Sequence, residues 1–218
     1  MPDASTLEAA RASLRRRQGL GARYDAAEAP AQELDWARRG TAYFARKLNE
    51  LRDSELGADS AVAGWTRRHV IAATAYHARM LARAVEAART GAAIALYEHA
   101  GQREAEIEDG ATLPASALRH LVDHAAVHLN VEWRDLSAEA WDGPLPYAAL
   151  PTARHAPWLR AKQVWLRALD LRNGASPRDF PRDFHVRLLS ERLSSPVNLP
   201  TDLQALAAAP LAHGRSDY

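Results

Sequence analysis

The stretch PWLRAKQVWLRALDL, residues 157–171, decides how this chain folds. It opens on Pro157, a residue suited to the first turn of a helix, and continues in strong helix formers. The spacing predicts an amphipathic helix over 157–172 that stops at Asn173-Gly174. One stripe of it carries Gln163, Arg167 and Asp170, at i, i+4 and i+7. Two ligands at i and i+4 on one helix face can grip a metal ion. A Gln and an Arg are a strange pair for that task. Arginine offers five N–H donors and no lone pair, so it serves carboxylates and phosphates instead. The plainer alternative is an Arg167–Asp170 pair on a solvated face, which would leave Trp165, Leu166 and Leu169 to be buried.

The rest of the chain is also helical in pattern. Helices are expected over 5–18, 30–55 and 66–90, the last with Thr66 as its N-cap. A short acidic helix should lie within LYEHAGQREAEIEDG (96–110). Another long helix covers 114–136, with Pro114 near its start. The segment WDGPLPYAALPTARHAP (141–157) reads as a proline-rich connection. Beyond the opening stretch, helices are expected over 177–193 and from Thr201, where Thr201 and Gln204 can form a capping box. Four long amphipathic helices imply an all-α four-helix bundle, whose sites are built from inward side chains of several helices. The expected organisation is an N-terminal helical extension (1–29), the bundle (30–175) and a short helical C-terminal region (176–218).

The 218 residues carry 28 Lys and Arg against 27 Asp and Glu, a net charge of +1. No strong field draws such a chain to nucleic acid or to a membrane. Without any cysteine it has no disulfide and no thiol of its own. The N-terminus lacks the apolar core of a signal peptide, and no apolar run reaches the length of a membrane span. A soluble cytoplasmic protein acting on a small molecule is the expectation.

Histidines cluster on the two middle helices. His69, Ala73 and Tyr76 share one face of the third helix, with His77 beside it. On the 114–136 helix, His120, His124 and His128 stand at i, i+4 and i+8. Such a stripe can bind zinc, or it can be polar surface.

Four segments together resemble one family: GWTRRHVIAATAYHARML (64–81), TGAAIALYEHAGQREAEIEDGATLPASALRHL (90–121), VHLNVEWRDLSAEAWDG (127–143) and PWLRAKQVWLRALDL. They are similar, in order and spacing, to the thiol-dependent maleylpyruvate isomerases of the DinB-like superfamily. The resemblance spans residues 30–181. It implies a metal-binding four-helix bundle, a cytoplasmic enzyme isomerising maleylpyruvate to fumarylpyruvate, and mycothiol or glutathione as cofactor. It also implies a zinc ion held by a His on the helix after GWT and by a Glu and a His on the last bundle helix. Carried over, the first ligand is His69, the Glu position holds Gln163, and the second His position holds Arg167. Asp170 matches the family's closing Asp. Residues 213–218, HGRSDY, resemble a late family motif whose Arg binds substrate or thiol, which makes Arg215 a candidate.

With two of three ligands replaced, the zinc site of the family is expected to be lost, and with it the role of the thiol. Three readings follow. In the first, a repurposed isomerase-like enzyme acts on an anionic molecule by isomerisation, cyclisation or elimination. Arg167 clamps the anion, Gln163 and Asp170 orient it, His69 moves protons with help from Tyr76, and His124 and Arg215 line the site. In the second, the chain is a non-catalytic binder. In the third, His69, His124 and His128 hold a relocated zinc. A shortened second domain would leave apolar bundle surface for a second copy to cover, as in a homodimer.

Overall fold

The computed structural model describes residues 4–18, 24–92, 94–148 and 150–194. Its bundle consists of α2 (Ala31–Asn49), α3 (Arg67–Thr90), α5 (Ala115–Asp135) and α6 (Ala156–Asp170). A preceding helix α1 (Ala4–Gln18) shows solvent-exposed side chains over residues 5–12. The contacts fix the helix directions. Trp36 meets Trp158 and Tyr43 meets Trp165, with ring centroids 5.8 and 4.9 Å apart, so α2 and α6 run the same way. Arg68 donates to Leu113 O at the start of α5 (2.6 Å), and Arg89 to Glu132 at its end (3.0 Å), so α3 and α5 also run together. Arg160 Nη1 reaches Thr74 O (2.7 Å) while Ala61 N reaches Asp170 O (2.9 Å), so α6 is antiparallel to α3.

Two parallel pairs packed head to tail require long crossings. The α3–α5 crossing contains the short helix α4 (Gln102–Ala111). The α5–α6 crossing was expected to be an irregular proline-rich connection. It instead forms a small antiparallel hairpin, β1 (Pro144–Tyr147) with β2 (Leu150–Thr152). Pro144 and Pro146 are tolerated because β1 pairs on one side only. Tyr147 OH donates to Ile94 O at 2.5 Å and ties the hairpin to the other crossing.

Two helix boundaries differ from the sequence reading. α2 ends at Asn49 rather than at 55, and a single 3-10 turn covers Asp53–Glu55. The reason is Arg119, whose guanidinium caps Leu48 O and Leu51 O at 2.7 Å each. The segment expected as one helix over 177–193 is a 3-10 turn at Pro177–Asp179 followed by α7 (Arg182–Ser194). Pro181 forces extended backbone on Phe180 and separates the two. The expected helix from Thr201, its capping box and Arg215 lie outside the described residues.

The core is aromatic where α6 meets α2 and α7. At Gly40 a Cβ would stand 2.6 Å from Val164 Cγ2 and 2.7 Å from Trp165 Nε1, so only glycine permits this approach. Trp165 Nε1 uses the closeness to donate to Trp36 O at 3.0 Å. Phe180 and Phe184 complete the cluster against Trp36, Trp158 and Trp165. Among the described residues, no helix is long and apolar enough to cross a membrane.

Candidate functional site

GWTRRH (64–69) gathers the ends of three helices. Gly64 turns the chain at φ +79°, and Thr66 takes the extended conformation of an N-cap for α3. Arg67 donates to Leu171 O (2.7 Å), Glu55 O (3.1 Å) and Arg172 O (3.0 Å), capping the C-terminal end of α6. His69 completes the cap of α3. Its Nδ1 accepts the Thr66 N–H at 3.2 Å and lies 2.8 Å from the Thr66 hydroxyl. A backbone N–H only donates, so Nδ1 is an acceptor and the ring proton is assigned to Nε2. Nε2 faces Glu108 Oε2 of α4 at 3.2 Å.

Arg167 joins this group from α6. Its Nη1 donates to Asp170 Oδ2 at 2.7 Å, and its guanidinium lies 5.2 Å from the centre of the Trp65 ring. The His69 ring lies 6.2 Å from the same indole, 25° from parallel. The structure therefore brings His69 and Arg167 to one aromatic surface. The pair is not on a solvated face, because the Asp170 side chain is only 4% exposed and that of Arg167 19%. Trp165 is buried as well, so α6 is enclosed on more than one side. Gln163 shares the Arg167 stripe, is half-buried and makes no hydrogen bond to a described residue.

Other candidates lie elsewhere. Tyr76 is about two turns along α3, its ring against Gly110 of α4, where a Cβ would come within 2.7 Å. Burial raises the Tyr76 phenol above its ordinary range. His124 is exposed on α5, as are His120 and His128. It stands in the third turn of α5, whereas His69 sits beside the first, so the structure does not bring the two together. The geometry thus sets His69 apart from His124 and His128, whose rings lie 6.4 Å from each other on α5.

Two further residues gain their character only from the packing. Glu108 sits in a run of acids, REAEIEDG, and only the packing of α4 selects it as the partner of His69. His77 lies two turns beyond His69, and its Nδ1 is buried with no partner among the described residues. Its pKa falls well below the ordinary value, through burial first and then the nearby charges of Arg160, Arg103, Arg167 and Lys162. It stays neutral at physiological pH.

The positions that would supply zinc ligands carry one imidazole, one neutral amide and one permanent cation. Arg167 puts positive charge where a dication would need donors, and it is already held by Asp170. This donor set does not fit a zinc ion. Among the described residues, no group of three or more His, Cys, Asp or Glu side chains could hold a metal.

The family model for the N-terminal domain of mycothiol maleylpyruvate isomerase matches residues 37–172, from within α2 to the end of α6. The chain belongs to this family. Its bundle is similar to the crystal structure of a mycothiol-dependent maleylpyruvate isomerase, with a TM-score of 0.71 and 35% identity, covering 74% of this chain and 68% of that one. A His-to-Ala mutant of such an isomerase matches with the same TM-score at 36% identity over the same shares. No curated protein matches. The family is mycothiol-dependent, and its helical DinB-like fold is the one observed here.

Proposed function

We propose that this chain is an isomerase-like enzyme of the maleylpyruvate isomerase family that works without zinc on a small anionic molecule. The observation that carries the reading is Arg167, half-buried between Trp65 and Asp170 beside His69. One of its nitrogens serves Asp170, and the others make no hydrogen bond to a described residue. They are free to take a carboxylate or a developing enolate, the charge a metal would otherwise stabilise.

The remaining roles follow from the hydrogen bonds. The lone pair of His69 Nδ1 is engaged by the helix cap, so Nε2–H is the ring atom with chemistry to offer. It acts as a donor to a carbonyl oxygen as negative charge develops there. Glu108, with its side chain 66% exposed, is the carboxylate that can take up a proton next to that carbonyl. Gln163 supplies a neutral hydrogen-bonding group on the same stripe.

A non-catalytic binder is favoured by one feature, the engagement of both His69 nitrogens by Thr66 and Glu108. Two measurements separate the readings. Maleate, pyruvate and fumarylpyruvate serve as probes in titrations followed by tryptophan fluorescence, which Trp65 reports. Arg167→Met should weaken binding at least tenfold, with chelator making no difference. Deuterium exchange into the bound probe, read by NMR, should occur in the wild type and stop in Glu108→Gln while binding persists. Loss of exchange on chelation would overturn the metal-free reading. Binding without exchange would establish the binder.

A further inference from the structure

A second polar feature lies two turns nearer the start of α6, on the same stripe as Arg167. α2 and α5 are tied together near their ends, by Arg38 Nε to Asn130 Oδ1 (2.9 Å) at one and Arg119 to Leu48 O (2.7 Å) at the other. Between these ties they face each other with small residues, among them Ala42, Ala45 and Ala126, and leave a groove of about 490 Å³. That is within the range of small-molecule sites. Arg160 lines the groove from α6 and is only 1% exposed.

Arg160 is an unusual buried charge. Among the described residues, its Nη1 donates to Thr74 O at 2.7 Å, its Nη2 is buried without a partner, and no carboxylate is bonded to it. Burial pulls its pKa down to about 9, which leaves it charged at neutral pH. An uncompensated buried cation is costly, and proteins keep such groups where a ligand completes them. None of the residues lining the groove is acidic. Arg134 and Arg38 also line the wall, and the charge of Arg38 is met by Asp25 at 2.7 and 2.8 Å. The rest of the lining is mostly apolar, with Val131 and Trp133 beside the alanines and Thr41 and Asn130 as uncharged polar members; among the described residues the buried Trp133 Nε1 has no partner.

We propose that the α2–α5 groove binds a small amphipathic monocarboxylate, its carboxylate seated on Arg160 and its hydrocarbon portion between the alanines and Val131. The apolar walls favour such a ligand over phosphate. The site is distinct from the group around Arg167, which lies about 10 Å further along α6.

The test uses the full chain with hexanoate and hexan-1-ol as probes, by calorimetry and by the fluorescence of Trp133. Hexanoate should bind at least tenfold more tightly than the alcohol, the worth of one charge-assisted hydrogen bond. Arg160→Met should abolish that preference while the melting temperature holds or rises, since a buried unpaired charge is removed. Ala126→Phe fills the groove at a half-buried position and should remove hexanoate binding in a folded protein, which decides the matter even if Arg160→Met fails to fold. Arg167→Met should leave hexanoate binding intact. Equal affinity for acid and alcohol, binding that survives Ala126→Phe, or loss with Arg167→Met would each overturn the proposal.

Discussion

Toward α2 and α7, helix α6 presents Trp158, Val164 and Trp165; toward α3 it presents Arg160, Arg167 and Asp170. The first face is closed by volume. Gly40 lets the backbones approach, and Tyr43, Phe180 and Phe184 pack around Trp165. The second face is held by polar groups that do not cancel within it. Asp170 answers Arg167, but among the described residues no carboxylate answers Arg160. Close packing therefore lies mainly on one side of α6, and the charged groups on the other. This separation lets the chemistry change while the fold persists.

The sharpest way to break this comparison is Trp165→Ala. It removes a buried indole, its hydrogen bond to Trp36 O and its contacts with three aromatic rings. The expected cost is about 3–5 kcal/mol in chemical denaturation. A loss under about 1 kcal/mol would mean that the aromatic face does not hold the helix.

The polar face is addressed by Gln163→Glu combined with Arg167→His. These changes supply the two ligand types that the family resemblance places beside His69 and remove the cation between them. The double variant should bind about one zinc per chain, measured by elemental analysis. Free zinc at about a hundredfold excess over its dissociation constant should stabilise it by about 2.7 kcal/mol. The wild type should show neither effect. Failure of the double variant to take up zinc would break the assignment of positions 163 and 167 to the metal site.

These two faces were not equally legible in the sequence. The bundle helices follow from helical spacing and from caps such as Thr66, and the family resemblance implies that His69, Gln163 and Arg167 occupy one site. The hairpin was not legible, because two prolines in four residues argue against a strand unless its pairing is one-sided. Glu108 was hidden among neighbouring acids that local pattern cannot rank. Arg160 was hidden in the same way, as one arginine among many, since burial without a counter-charge is a property of packing alone. His77 was noted beside the His69 face, but its isolation depends on charges from α4 and α6 that sequence spacing does not bring together.

His77 provides the finest test of the contrast. Its imidazole is kept neutral by burial and by the positive charges of Arg160, Arg103, Arg167 and Lys162. Its folded pKa therefore lies below the unfolded value of about 6.5. Between those two values the unfolded chain binds more protons, so stability falls as pH is lowered through 6.5 toward the folded pKa. Lowering the pH from 7.5 to 5.5 should therefore destabilise the wild type through this single group. His77→Leu should flatten that part of the pH profile and leave a smaller slope from His185, which burial also shifts downward. Denaturation midpoints at the two pH values measure the difference. An unchanged slope would mean that His77 can accept its proton at little cost, and that the cations of α6 do not impose on α3 the electrostatic field that distinguishes this face.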